Sequence, residues 1–150
     1  MDLILWRHAE AQEPEGDMGD LDRPLTRRGE KQAARMAAWL DRQLPDGTRV
    51  LSSSARRTDE TVRALGRRFK SLDELRPGAS ADQVLQLAGW PQAKAPVLVV
   101  GHQPTLGQVA ARLLEGLTSK EIGKILNISH RTVEIYRARL MRKYGASTAA

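Results

Sequence analysis

The 150-residue chain contains no cysteine. Disulfides and thiolate metal sites are therefore excluded, and the absence fits a reducing compartment. No apolar run approaches the ~18 residues of a membrane-spanning helix, so no membrane span is expected. The N-terminus lacks a basic region followed by an apolar stretch and a small-residue cleavage site. No secretory signal is therefore expected, and the default location is cytoplasmic. Internal repeats and low-complexity tracts are also missing. What is present is ordinary for a folded soluble chain: 41% hydrophobic and 28% charged. The length suffices for one sizeable core, or for a small core with an appendage.

The net charge of +6 is unevenly distributed. Residues 1–116 hold 17 Lys/Arg against 16 Asp/Glu, whereas residues 117–150 hold 7 against 2. The excess of positive charge lies at one end. Two readings fit it: a polyanion partner for that end, or a solvated basic helix.

Along the chain, short apolar runs alternate with helical patterns. Residues 2–6 read as a first strand ending in Arg7 and His8, and 12–24 as an acidic loop, most simply a solvated one and alternatively one that borders a functional site. A helix starts at Thr26, with Ala33, Met36, Ala37 and Leu40 on its apolar face, and stops near Leu44-Pro45-Asp46-Gly47. Val50-Leu51 reads as a second strand, 55–69 as a helix, and Leu72–Leu75 as a weak third strand. Ser80 caps a short helix to about Ala88. Val97–Val100 is the clearest strand, followed by Gly101-His102-Gln103-Pro104 and a helix over 105–115. This alternation predicts a parallel, helix-covered sheet.

In such sheets the ligand site lies beyond the carboxyl ends of the strands. Three of those ends carry cationic or imidazole groups. The first gives Arg7 and His8, the second leads to Arg56 and Arg57, and the last gives His102 before a helix start. Guanidinium forks match phosphate oxygens, helix-start N–H groups favour an anion, and neighbouring cations favour neutral imidazole. The expectation is a phosphate site in which His8 is a nucleophile. A lone His near a strand end is more often structural than catalytic, and Arg56 and Arg57 alone read as surface residues of a helix; the combination carries the expectation.

Four blocks in order carry a resemblance: LWRHAEA at 5–11, RPLTRRGEKQA at 23–33, SSSARRTDET at 52–61 and VGHQPTLG at 100–107. Over about 1–116 the chain resembles the histidine phosphatase superfamily, in its small phosphohistidine-phosphatase (SixA-like) branch. The resemblance implies a three-layer α/β/α, mostly parallel, phosphoglycerate-mutase-like fold. It implies His8 as a transiently phosphorylated nucleophile, with Arg7, Arg57 and His102 clamping the phosphoryl oxygens and Gln103 beside them. Arg57 rather than Arg56 matches the family spacing, three residues before Glu60-Thr61. Ser54 and Glu60 stand where the family pattern has Pro and Gln. Larger relatives use a glutamate between the second Arg and the second His, and Glu74 occupies a comparable place as a candidate general acid. Only 44 residues separate Arg57 from His102, which leaves no room for a helical lid. An open site suits a phosphohistidine displayed on another protein. No metal or other cofactor is expected, because the arginines supply the charge stabilisation.

Residues 117–150 carry a different pattern. Thr118-Ser119-Lys120-Glu121 is a capping box opening one helix, and Ser129 caps a second that Gly145 stops. GLTSKEIGKILNISHRTVEIYRARLMRKYGAS resembles the LuxR/FixJ-type DNA-binding domain. That resemblance implies a helix-turn-helix with Arg131 and Thr132 on phosphates, and with Glu134, Ile135 and Ala138 facing base edges beside Arg139. The alternative is a basic helical hairpin packed on the phosphatase-like part. The first helix of the DNA-binding family would be Gln108–Glu115, which is also the helix after His102. The expected organisation is thus a histidine-phosphatase-like domain at 1–116 joined to an incomplete LuxR-type segment at 117–150. Of the two functional classes, a phosphatase ranks ahead of a DNA-binding regulator with a phosphatase-like sensory or scaffold domain.

Overall fold

The computed structural model describes residues 2–115 together with Arg131, Ile135, Ala138, Arg139, Arg142 and Lys143. The first of these segments is a three-layer α/β/α unit. Its strands are β1 (Leu3–Arg7), β2 (Arg49–Ser53), β3 (Lys70–Leu72) and β4 (Val97–Gly101). They form one parallel sheet in the order β1-β4-β2-β3. Helices α1 (Arg27–Gln43) and α2 (Arg56–Arg63) cover one face; α3 (Ala81–Ala88) and α4 (Thr105–Glu115) cover the other. No helix among the described residues is long and apolar enough to cross a membrane.

The alternation of side chains along a strand divides the core in two. In β4, Leu98 and Val100 join Val50, Val62, Ala37 and Leu40 on the α1/α2 side. Val97 and Val99 join Leu51, Val84, Leu106 and Val109 on the α3/α4 side. The central position of β4 explains why its whole run is apolar.

Local signals set the helices. The Thr26 side chain accepts from Gly29 N–H at 2.9 Å, and that of Ser80 from Gln83 N–H at 3.1 Å, giving α1 and α3 the N-caps expected from the sequence. The end of α1 is closed from a distance: Arg67 donates to the carbonyls of Asp41, Leu44 and Pro45.

Two expectations are corrected. The helix expected over 55–69 ends at Arg63, because the chain passes through turns to Gly66 at φ +71°. Leu65 and Phe69 still reach the core from that loop. The third strand lies at Lys70–Leu72, and Asp73–Leu75 is a 3-10 turn in which Arg76 N–H bonds Asp73. Leu75 points into the core there, which an exposed edge strand would not have required.

Candidate active site

The strand register brings the predicted groups together. Trp6 and Ser52 both pair with Val100, and Arg7 pairs with Gly101. The next residues therefore leave the sheet side by side at its carboxyl edge. His8 extends the ladder by one bond, its N–H donating to Gly101 at 3.1 Å.

The His8 ring is held in one tautomer. Its Nδ1 lies 2.7 Å from the Ala9 carbonyl oxygen, which can only accept, so Nδ1 carries the proton and Nε2 a lone pair. Ala9 is held on both sides: its own N–H donates to Thr61 Oγ1 at 3.1 Å, and the Glu10 N–H, in the same peptide as the accepting carbonyl, donates to Gln32 Oε1 at 3.0 Å. Burial lowers the His8 pKa below its ordinary value; the Ala9 bond opposes this, and the charges of Arg57, Arg7 and Arg23 add to the lowering. At neutral pH the ring is the uncharged, nucleophilic form.

Arg57 is 4% exposed, whereas Arg56 lies outside and pairs with Glu60. The Arg57 guanidinium donates to the Asp20 carbonyl at 2.7 Å and to its carboxylate at 3.1 Å. Asp20 also accepts from Arg23 at 3.0 Å. The Arg23 hydrogen bond, reinforced by Arg57, holds the Asp20 carboxyl below the usual range. The loop carrying these residues folds back because Gln12 N–H bonds Pro24 and Ala11 bridges Leu25.

His102 stands with its ring centroid 5.3 Å from that of His8, the planes inclined at 54°. Its Nε2 is 2.8 Å from Ser53 Oγ. Burial, then Arg57 and His8, push its pKa down to about 3, so it too is neutral at pH 7. Two polar atoms are buried here without a protein partner: Arg57 Nε and His102 Nδ1. Both are shielded from solvent by the residues packed around them, so each is an unmet hydrogen bond inside the site. Guanidinium groups beside two neutral imidazoles have the charge and donors to hold an oxyanion.

A cavity of about 310 Å³ beside His8 is lined by Arg7, His8, Ala9, Glu10 and Gln32. Arg57 and His102 do not line it. Glu10 is exposed and faces Arg28 at 3.8 Å. Among the described residues no group of three His, Cys, Asp or Glu side chains is placed to hold a metal ion.

The helix start after His102 differs from the expectation of free N–H groups. Leu106 N–H bonds His102, Gln108 N–H bonds Pro104, and Gly107 N–H takes the side-chain oxygen of Gln103 at 2.9 Å. Gln103 is thus a helix cap, leaving only its amide NH2 to meet an anion. Glu74 is exposed on the turn after β3 and takes part in none of the contacts that join His8, Arg57 and His102. Asp20, Arg23, Ser53 and Thr61 join the site without having been singled out from the sequence. In the C-terminal segment Arg131, Ile135, Ala138 and Arg139 are helical and exposed. Thr132 and Glu134 lie outside the described residues.

Residues 3–79 match the model of the Histidine phosphatase superfamily (branch 1), a segment that contains His8 and Arg57 and ends before His102. Residues 107–149 match the model of Bacterial regulatory proteins, luxR family, so that match begins inside α4. Among known proteins, Uncharacterized protein Rv1276c of Mycobacterium tuberculosis is 33% identical over 109 residues, covering 69% of this chain and 66% of that protein. The chain thus spans just under two thirds of that relative. The C4-dicarboxylate transport transcriptional regulatory protein DctR of Rhodobacter capsulatus is 46% identical over 43 residues, covering 29% of this chain and 22% of that protein. Among solved structures, the protein histidine phosphatase SixA complexed with tungstate superposes with a TM-score of 0.66 at 30% identity, covering 75% of this chain and 76% of that one.

Proposed function

The chain belongs to the histidine phosphatase superfamily, and we propose that it is a phosphohistidine-type phosphatase acting through a covalent phosphohistidine on His8. The observation that carries this reading is a His8 ring with a free Nε2 lone pair, 5.3 Å centroid to centroid from His102, with the Arg57 charge acting on both imidazoles. The tungstate of the similar SixA structure is a tetrahedral oxyanion, as phosphate is.

In the first step His8 Nε2 attacks phosphorus while the bond to the leaving group breaks. Arg7, Arg57 and His102 stabilise the charge on the phosphoryl oxygens. A leaving imidazole departs readily from a phosphoramidate and takes its proton from water. In the second step water attacks phosphorus, the bond to Nε2 breaks, and inorganic phosphate leaves with neutral His8 restored. Between α2 and β4 the chain forms β3, a 3-10 turn and α3, and α3 buries Ala81, Val84 and Ala88 against the sheet. None of them forms a helical lid, which favours a phosphohistidine carried on a protein over a small enclosed ester.

The test compares hydrolysis of an aryl phosphate and of phosphohistidine by wild type and His8→Ala. A loss of at least ~10³-fold is expected, with acid-labile protein-bound phosphate trapped only on wild type. Equal rates would sink the reading.

A second activity has its own observation, the luxR-family match over 107–149. If this segment binds DNA, affinity falls steeply with salt through its lysines and arginines, and Arg131→Ala weakens it. Salt-independent binding counts against that reading.

A further inference from the structure

We infer that Ser53 holds His102 in the tautomer with its proton on Nδ1, so that His102 meets the phosphoryl group as a hydrogen-bond donor. Ser53 ends β2 and is fully buried. Its carbonyl accepts from Ser52 at 3.0 Å and shares the Thr58 hydroxyl, at 2.9 Å, with the Ala55 carbonyl at 2.8 Å. Its own Oγ has two neighbours within hydrogen-bonding distance. Ala55 N–H donates to it at 3.2 Å, and His102 Nε2 lies 2.8 Å away. A backbone N–H cannot accept, so the serine proton has one acceptor, the imidazole Nε2. Nε2 is then the lone-pair nitrogen and Nδ1 carries the hydrogen.

The opposite tautomer fails on the same count. With hydrogen on Nε2, the serine proton is buried without an acceptor, and the Nδ1 lone pair is buried without a donor. With hydrogen on Nδ1 one group awaits a partner, and it has the same polarity as the waiting Arg57 Nε–H. The two imidazoles then share a proton placement with opposite uses. His8 directs Nδ1–H to Ala9 and keeps Nε2 for phosphorus, whereas His102 gives Nε2 to Ser53 and keeps Nδ1–H for oxygen. Ser53 is a positioning residue; the group that touches substrate is His102. This role rests on the phosphatase reading, but the proton placement does not.

The test reads both. Nitrogen-15 spectra of the full-length protein at pH 7 should show His102 Nδ1 protonated and Nε2 bare. Ser53→Ala should lose that fixed pattern, and should lower kcat for an aryl phosphate by ~10²-fold with little change in KM. Ser53→Thr, which keeps the hydroxyl, should restore the pattern. Protonated Nε2 in the wild type overturns the inference without any variant. So does a Ser53→Ala protein with the wild-type pattern and the wild-type kcat. A wild type with the expected pattern that hydrolyses neither an aryl phosphate nor phosphohistidine instead removes the phosphatase reading and leaves the tautomer in place.

Discussion

Gly29→Ala sets two effects of opposite sign against each other. Gly29 lies in the first turn of α1, where alanine normally stabilises a helix by ~1 kcal/mol. Here the added Cβ would collide with the carbonyl oxygen of Glu10 and lie 3.0 Å from its carbonyl carbon and 3.2 Å from its nitrogen. All three are backbone atoms two residues beyond His8, so no side chain can swing away. Relief requires the 9–11 segment and α1 to separate by about 1 Å. That movement strains the Thr26 N–H bond to Glu10 at 3.0 Å and the Ala9 N–H bond to Thr61 that steadies the His8 carbonyl partner. Overpacking costs ~1–3 kcal/mol and a weakened hydrogen bond ~1 more, so the clash outweighs the propensity gain. The net expectation is a loss of about 2 kcal/mol, seen as a melting temperature lower by ~5–10 °C. An error of 1 Å at a nucleophile also costs ~10²-fold in rate. Thermal unfolding and aryl phosphate hydrolysis on one preparation measure both. A Gly29→Ala protein that melts higher than wild type at full activity would refute the close approach.

Three further outcomes follow from the same geometry. Arg57→Gln removes a positive charge that lowers both imidazole pKa values, so the acid limb of kcat/KM should move to higher pH; a shift to lower pH would contradict the placement of Arg57. His102 protonates near 3 when folded and near 6.5 when unfolded, so the unfolded chain binds the extra proton between those values. Stability should therefore fall as pH drops through that window, by up to ~1.4 kcal/mol per unit from this group, and urea unfolding of His102→Asn should show a shallower slope. Arg67→Ala removes three hydrogen bonds to carbonyls at the end of α1 and an ion pair with Asp41. It should cost about 2–3 kcal/mol, while Arg68→Ala stays within ~0.5 kcal/mol of wild type in the same denaturant titration.

Much of this architecture is legible before any coordinates. β4 and β1 announce themselves as apolar runs bounded by Pro, Gly or an Arg-His pair, and Thr26 and Ser80 mark helix starts by their capping chemistry. His8, Arg57 and His102 could be grouped because a parallel sheet presents its strand ends together. The limits have equally local causes. Val62, Leu65 and Phe69 keep helical spacing although Gly66 has already ended the helix, so periodicity overran the break. Leu75 reads as strand because apolar character does not separate a strand from a 3-10 turn buried under α3. Asp20 and Arg23 belong to a loop that only folds back through the Gln12–Pro24 bond, a contact with no periodic signature. Ser53 acquires meaning only from the register that sets it beside His102.

The pairing of β1 also bears on the birth of the molecule. Leu3 finds its neighbour in Val97, and among the described residues β1 has no other strand beside it. β1 is therefore made 94 residues before the strand that receives it. At ~5–20 residues per second, about 5–19 s pass at the ribosome before β4 exists to receive β1. Throughout that interval Leu3-Ile4-Leu5-Trp6 is an unpaired apolar segment, the kind a nascent-chain chaperone shields. The ring contact of His8 with Ala9 is local, whereas its bond to Gly101 and its neighbour His102 arrive only with β4.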